Sequence, residues 1–212
     1  MGGDLPKQFR DLCGRPVLWW SMKAFHEENP DTRIILVLPK DFISYWNEMF
    51  KSLPSKDQFP HQVTEGGKSR TESVTNGLRL IEDNHSLVAV HDGARPLVNK
   101  EMISRGWKAT EETGAAIPVV AVTDSLRKVS GPESMAVDRS EFVAVQTPQV
   151  FSTKILKEAY QIAGDKVFTD DASVVENAGI RVALFEGNHE NMKITNPKDL
   201  VIATAIMETS DA

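Results

Sequence analysis

A few short stretches of this 212-residue chain hold residue types that could do chemistry. One is His91-Asp92-Gly93-Ala94-Arg95-Pro96, directly after the apolar run Leu87 to Val90. A run of that length and content predicts a strand buried on both faces, and ligands of open α/β sheets sit just beyond the carboxyl ends of strands. On a turn made with Gly93 and Pro96, Asp92 could hold a hydroxyl or a metal shell, and Arg95 could fork onto a phosphate. An ordinary turn with a solvated ion pair is the competing reading. A second stretch is Gly66-Gly67-Lys68, between a short strand from His61 and a helix that Ser69 and Glu72 would open as a capping box. Exposed amides at a helix N-terminus favour negative charge, which suits a nucleotide, although capping alone needs no ligand. Lys7 sits on a loop marked by glycines and Pro6, where a solvated lysine is the ordinary outcome. Lys193 lies in a short apolar strand predicted over 191–195, a less usual place for a lysine. Asp170 and Asp171 could bind metal, but acids in a first helical turn are commonplace and capping is the simpler reading.

These residues need a frame. Pro16 can start a helix whose Val17, Leu18, Trp19, Met22 and Phe25 fall at helical spacing. Residues 33–38 read as a buried strand and 41–51 as an amphipathic helix. The helix after Ser69 shows Val74, Leu78 and Ile81 on one face. Asn99 caps a helix to about Thr113, and 114–122 is another apolar run. Strands alternating with helices in this way predict a parallel sheet with right-handed crossovers. The rhythm breaks between Thr123 and Pro148, where a Ser-Gly-Pro turn separates short strands. So long an excursion without its own core face is a lid, a binding loop or a dimer arm, and its apolar content predicts an arm covered by protein. Helices follow over 152–163 and from Thr169 or Asp170. A strand over 181–185 precedes a last helix, opened by Asn196-Pro197 and burying Leu200, Ile202, Ala203 and Ile206.

The length suffices for one sizeable core, so a single domain is expected. The net charge is −6 and no long basic run exists, which argues against a nucleic-acid partner. The single cysteine, Cys13, excludes an internal disulfide and fits a reducing compartment. No run approaches membrane-span length and no secretion signal is visible, so the expected address is cytoplasmic, with no membrane partner. No G-x-G-x-x-G occurs, so a dinucleotide redox fold lacks its fingerprint.

Read together, Leu5-Pro6-Lys7-Gln8-Phe9, the segment from Gly66 to Val74, His91 to Pro96, Val137-Asp138-Arg139, Gln146 to Phe151, Thr169 to Ser173 and Asn191 to Thr195 resemble the 2-C-methyl-D-erythritol 4-phosphate cytidylyltransferase family, in that family's order across nearly the whole chain. The resemblance implies a Rossmann-like α/β nucleotidyltransferase fold, a mostly parallel twisted sheet with helices on both faces. It implies a protruding β-arm, at about 123–148, exchanged between the subunits of a homodimer. The implied reaction moves CMP from CTP to the methylerythritol phosphate and releases pyrophosphate, with Mg2+ bound mainly through the CTP phosphates and no protein metal ligands. Lys7 and Lys193 would bracket the α-phosphate. Gly66, Gly67, Lys68 and Ser73 would hold the cytidine. Asp92, Arg95, Thr147 and Thr169 would line the sugar-phosphate side, and Arg139, with Ser125 nearby, would arrive from the partner's arm. Ribitol 5-phosphate cytidylyltransferases share similar motifs and are the alternative, followed by a non-catalytic nucleotide-binding module. The family opens with a strand and a Gly-rich loop bearing a basic residue, of which only Met1-Gly2-Gly3 resembles the tail. A sheet unpaired in its middle, and a natural chain that starts earlier, are therefore expected.

Overall fold

The computed structural model describes residues 5–164 and 166–210, so the Met1-Gly2-Gly3 segment lies outside the described residues. A two-residue ladder of β1 (Asp11–Leu12) and β2 (Arg15–Pro16) leads into α1 (Val17–Glu28), which buries Val17, Leu18, Trp19, Met22 and Phe25 as their spacing predicts. There follow β3 (Ile35–Leu38), α2 (Ile43–Ser52), β4 (Gln62–Glu65), α3 (Arg70–Leu78) and β5 (Leu87–Val90). Then α4 (Lys100–Thr113) begins where the Asn99 side chain accepts the amide of Met102 and ends at Gly114, whose φ of 81° is one that glycine adopts without strain.

After β6 (Ala115–Ala121) the chain forms an exposed hairpin of β7 (Arg127–Ser130) and β8 (Glu133–Ala136). It returns through β9 (Val143–Val145) and β10 (Gln149–Ser152), followed by α5 (Thr153–Ala163), α6 (Asp171–Asn177), β11 (Ala183–Glu186) and α7 (Pro197–Ser210). Alternate residues of β6 feed two cores. Ala115 and Ile117 pack with Phe151, Leu156 and Val175, while Ala116 packs with Met102, Ile103 and Phe185. Helices therefore cover both faces of the sheet, as a strand buried on both sides requires.

The sheet runs β11-β6-β10-β5, with β9 also on β6. It is less parallel than the alternation predicted. β11 is parallel to β6, but β10 runs antiparallel to both β5 and β6, and β9 is antiparallel to β6. The cause is the arm: a chain that leaves along β6 and returns without a crossover can pair only antiparallel. Between the Val119–Val145 and Ala116–Val150 pairs, β6 advances three residues and the returning chain five; the Gln146 amide still bonds the Pro118 carbonyl (2.9 Å), so Thr147 and Pro148 bulge from the ladder.

Among the described residues β3 pairs only with β4 and β5 only with β10. Between β3 and β5 lies a groove of about 1130 Å³, walled by Leu36, Leu38, Val88 and Val90, with Met22 of α1 and Val74 of α3 also lining it. All four residues of β5 are consequently half-buried, not sealed on both faces. Two further expectations need correction. Residues 191–195 form no ladder; a backbone bond from the Ile194 amide to the Ala94 carbonyl (2.8 Å) joins side-chain contacts in tying down the segment. Ile202 is exposed, because α7 turns only Ala203 fully inward. Every residue of β7 and β8 is exposed, so among the described residues nothing covers the tip of the arm.

Candidate active site

The chain beyond β5 turns sharply, with the Arg95 amide on the Asp92 carbonyl at 2.9 Å. This brings Asp92 and Arg95 together, and the Asp92 carboxylate lies 3.0 Å from Lys193 Nζ and 3.4 Å from Arg95 Nε. Burial alone would raise the Asp92 pKa; the Lys193 ammonium, with His91 and Arg95, more than reverses this and holds the carboxyl below its ordinary value. Arg95 is not a free fork, since Nη1 donates to the Asn191 carbonyl at 2.8 Å. The turn thus grips the chain two residues before Lys193. Lys7, Arg70, Ser73, Asp92 and Lys193 line the same groove, which becomes cationic where the sheet's apolar edges end.

The loop before α3 departs from its expected role. Its amides are not exposed: Gly66 donates to the Leu38 carbonyl (2.7 Å), Gly67 to Ser73 Oγ (3.0 Å) and Lys68 to the Glu72 carboxylate (2.7 Å). Ser69 caps the helix as predicted, through the Glu72 amide, but Glu72 reaches back to Lys68 rather than to Ser69 itself. Gly67 is required by this closeness, because a Cβ there would fall 2.4 Å from Glu72 Cβ. The loop offers the groove Ser73 and its own shape, not a set of open amides.

Thr147 is also not a wall residue. It is buried, accepts the Asp92 amide at 3.0 Å and meets His91 Nδ1 at 3.1 Å. Thr169 is exposed beside Asp170, which caps α6 through the Ser173 amide. Ser125 and Arg139 sit on the arm, where the Arg139 guanidinium bonds the Thr123 carbonyl, and neither lines the groove. One chain therefore assembles Lys7, Ser73, Asp92, Arg95 and Lys193 and leaves Ser125 and Arg139 apart from them.

Arg70 and Asp171 were missed as a pair. Asp171 reads in the sequence as an acid of a first helical turn, and nothing marks Arg70 as its partner. Asp171 has no exposed surface, takes Arg70 on both oxygens and accepts Tyr160 Oη at 2.5 Å. Burial and the Asp171 charge raise the Tyr160 pKa, keeping the phenol protonated as a donor. Gln149 accepts the amides of Asp171 and Ala172, so α3, α5, α6 and β10 meet in one buried polar knot. Only two adjacent acids after a threonine could have signalled it.

The comparisons with known proteins bear on this geometry. The family model for IspD, 2-C-methyl-D-erythritol 4-phosphate cytidylyltransferase, matches residues 1–209. The chain is 46% identical to the enzyme of that name from Bacteroides thetaiotaomicron and 43% to that from Phocaeicola vulgatus, each over 98% of this chain and 93% of the relative. The crystal structure of the Thermus thermophilus enzyme superposes with a TM-score of 0.80 at 35% identity, over 96% of this chain and 94% of that one. The chain belongs to this cytidylyltransferase family. It is a nucleotidyltransferase of isoprenoid precursor synthesis that uses CTP. For such chemistry the site is notable for what its titratable groups do. His91 is pushed down to about 4, chiefly by burial, and both its ring nitrogens are engaged; Asp92 is held as a carboxylate between two cations. Neither is poised near pH 7 as a general base.

Proposed function

We propose that the chain transfers the cytidylyl group of CTP to 2-C-methyl-D-erythritol 4-phosphate, as one nucleotidyltransferase domain over residues 1–212, working as a cytoplasmic homodimer with Mg2+. The Asp92–Lys193 pair at the mouth of a groove that also gathers Lys7 and Arg70, with no poised base beside it, carries the reading. A phosphate monoester has a second pKa of about 6, so the attacking oxygen is already largely dianionic at neutral pH and needs no base. The obstacle is bringing two anions together and stabilising a more crowded anionic transition state, which fixed cations and positioning do.

In this reading Lys7 and Lys193 bear on the α-phosphate. Gly66, Gly67, Lys68 and Ser73 shape the cytidine pocket, and Asp92 holds Lys193 in place. Arg95 and Thr147 brace that arrangement rather than touch the acceptor, while Thr169 borders the acceptor side. In this reading the cation is carried in on the CTP phosphates. Bound there, Mg2+ would neutralise phosphate charge and favour pyrophosphate departure. The arm, about 123–148, exposes Val129, Met135, Phe142, Val143 and Val145, an apolar surface suited to a second copy that receives Ser125 and Arg139 in its site. Among the described residues no helix is long and apolar enough to cross a membrane.

The test is pyrophosphate release from CTP and Mg2+ with methylerythritol 4-phosphate and ribitol 5-phosphate in parallel. Turnover with the first acceptor alone is expected. Preference for ribitol phosphate would overturn the acceptor assignment, and binding of CTP without turnover on either would favour the binding-module alternative.

A further inference from the structure

His91 is buried chemistry that the reaction above does not use. Its Nε2 lies 3.1 Å from the Arg95 carbonyl oxygen and its Nδ1 lies 3.1 Å from Thr147 Oγ1. A carbonyl can only accept, so Nε2 carries the proton. In the neutral ring Nδ1 is then an acceptor, so the Thr147 hydroxyl must donate to it. That commits the only proton of the hydroxyl and leaves its lone pair for the Asp92 amide at 3.0 Å. The bonds run one way only: Asp92 N–H to Thr147 O–H to His91 Nδ1, then Nε2–H to Arg95 C=O.

This chain of bonds spans the turn that holds Lys193. The turn reaches the 191–194 segment at three points: Arg95 Nη1 to the Asn191 carbonyl (2.8 Å), Asp92 to Lys193 Nζ (3.0 Å) and the Ala94 carbonyl to the Ile194 amide (2.8 Å). Thr147 can serve because the bulge at 147–148 turns it out of the ladder between β6 and the returning strand. Phe25 supports the ring edge-on, with centroids 5.3 Å apart. By accessible area His91 is only half-buried, since it borders the groove, yet enclosure keeps the ring neutral.

We infer that His91 is a positioning residue for the transfer reaction: as the neutral Nε2–H tautomer it fixes the Thr147 hydroxyl, which fixes the Asp92 backbone, which sets the Asp92–Lys193 pair against the reacting phosphate. The kinetic arm of its test rests on the role given to Lys193 above; the spectroscopic arm does not.

The spectroscopic arm uses the full chain labelled with ring-15N histidine, the His91 signals being assigned by their loss in His91→Phe. The charged groups facing the ring are Asp92 and Arg95. The expected result is a neutral Nε2–H ring with an accepting Nδ1 from pH 8 to pH 6. An Nδ1–H tautomer, or titration near the ordinary value of 6.5, would overturn the proposal. In the kinetic arm, His91→Phe keeps the ring against Phe25, and Thr147→Val removes the same bond from the other side if the first variant folds poorly. Each should lower kcat roughly 10-fold or more, the scale of a misplaced catalytic group, with a smaller effect on the KM for CTP. Thr147→Ser should restore kcat. The double variant should be no worse than either single one, and His91→Phe should cost little more in a Lys193→Ala background, measured in single turnovers. Additive losses in either cycle mean that His91 does not act through Thr147 and Lys193.

Discussion

Lys193 is exposed at 43%, and its ammonium is aimed by one carboxylate. An exposed pair of this kind contributes little to stability, so its geometry matters chiefly for what else the ammonium can reach. Lys193→Ala should accordingly lower kcat by roughly 100-fold, the scale of losing one preorganised charge-stabilising donor, while the urea midpoint stays near that of the unaltered chain. A near-normal kcat would remove Lys193 from the transition state. Asp171 is the opposite case, with no exposed surface and three donated bonds from side chains. Asp171→Ala strands the Arg70 guanidinium and Tyr160 Oη. Because Arg70 keeps 34% of its side chain in solvent, the cost belongs at the low end for a broken buried pair, about 3 kcal/mol by urea unfolding. Tyr160→Phe, which removes one bond, should cost about 1 kcal/mol.

Elements whose ends are decided within a few residues were legible in the sequence. Asn99 caps α4, Ser69 caps α3, Asp170 caps α6 and Asn196-Pro197 opens α7, because capping is chemistry between neighbours in the chain. Partners far apart in sequence were not. The direction of β10 depends on how the arm returns, the half-burial of β5 on what stands across the groove, and the closed loop at Gly66–Lys68 on where one Glu72 rotamer settles. The site shows the same division. The motif stretches pointed to Asp92, Lys193, Lys7 and Ser73, but only tertiary contacts turn Arg95 and Thr147 inward. The start of α7 gives a test at this scale. Asp199 accepts the amides of Thr195 (2.6 Å) and Asn196 (2.8 Å) and the Thr195 hydroxyl (2.7 Å), which lower its pKa to about 2. A depressed carboxyl stabilises the fold above its unfolded value near 3.8 and loses that contribution as pH falls through the folded value. The chain should therefore be more stable than Asp199→Asn at pH 6, by an amount constant down to about pH 4 and vanishing near pH 2. Urea midpoints across that range check it, and a gap that persists at pH 2 would mean the carboxylate charge is not its source.

At the scale of the whole molecule the arm is where the largest group of exposed apolar side chains falls along the chain. The body packs four buried clusters and exposes large apolar side chains at separate points, such as Val167, Leu184 and Val201, whereas the arm exposes five within residues 129–145: Val129 at 70%, Met135 at 61%, and Phe142, Val143 and Val145 above 40%. Apolar side chains grouped on an extended hairpin call for a partner surface. The arm also bears Arg139, a cation that has no place in its own chain's groove. If the arm serves a second copy, each site is built from two chains, and this can be separated from a merely structural dimer. Arg139→Ala and Lys193→Ala should each be nearly inactive alone. When the two are unfolded together, refolded and paired at random, half the dimers are mixed, and a mixed dimer holds one site with an intact Lys193 from one chain and an intact Arg139 from the other. Activity should recover to about a quarter of that of the unaltered protein, as random pairing of an isologous dimer requires. An arm acting on its own chain leaves both sites of every mixed dimer defective, so the mixture would stay as inactive as its components while still sedimenting as a dimer.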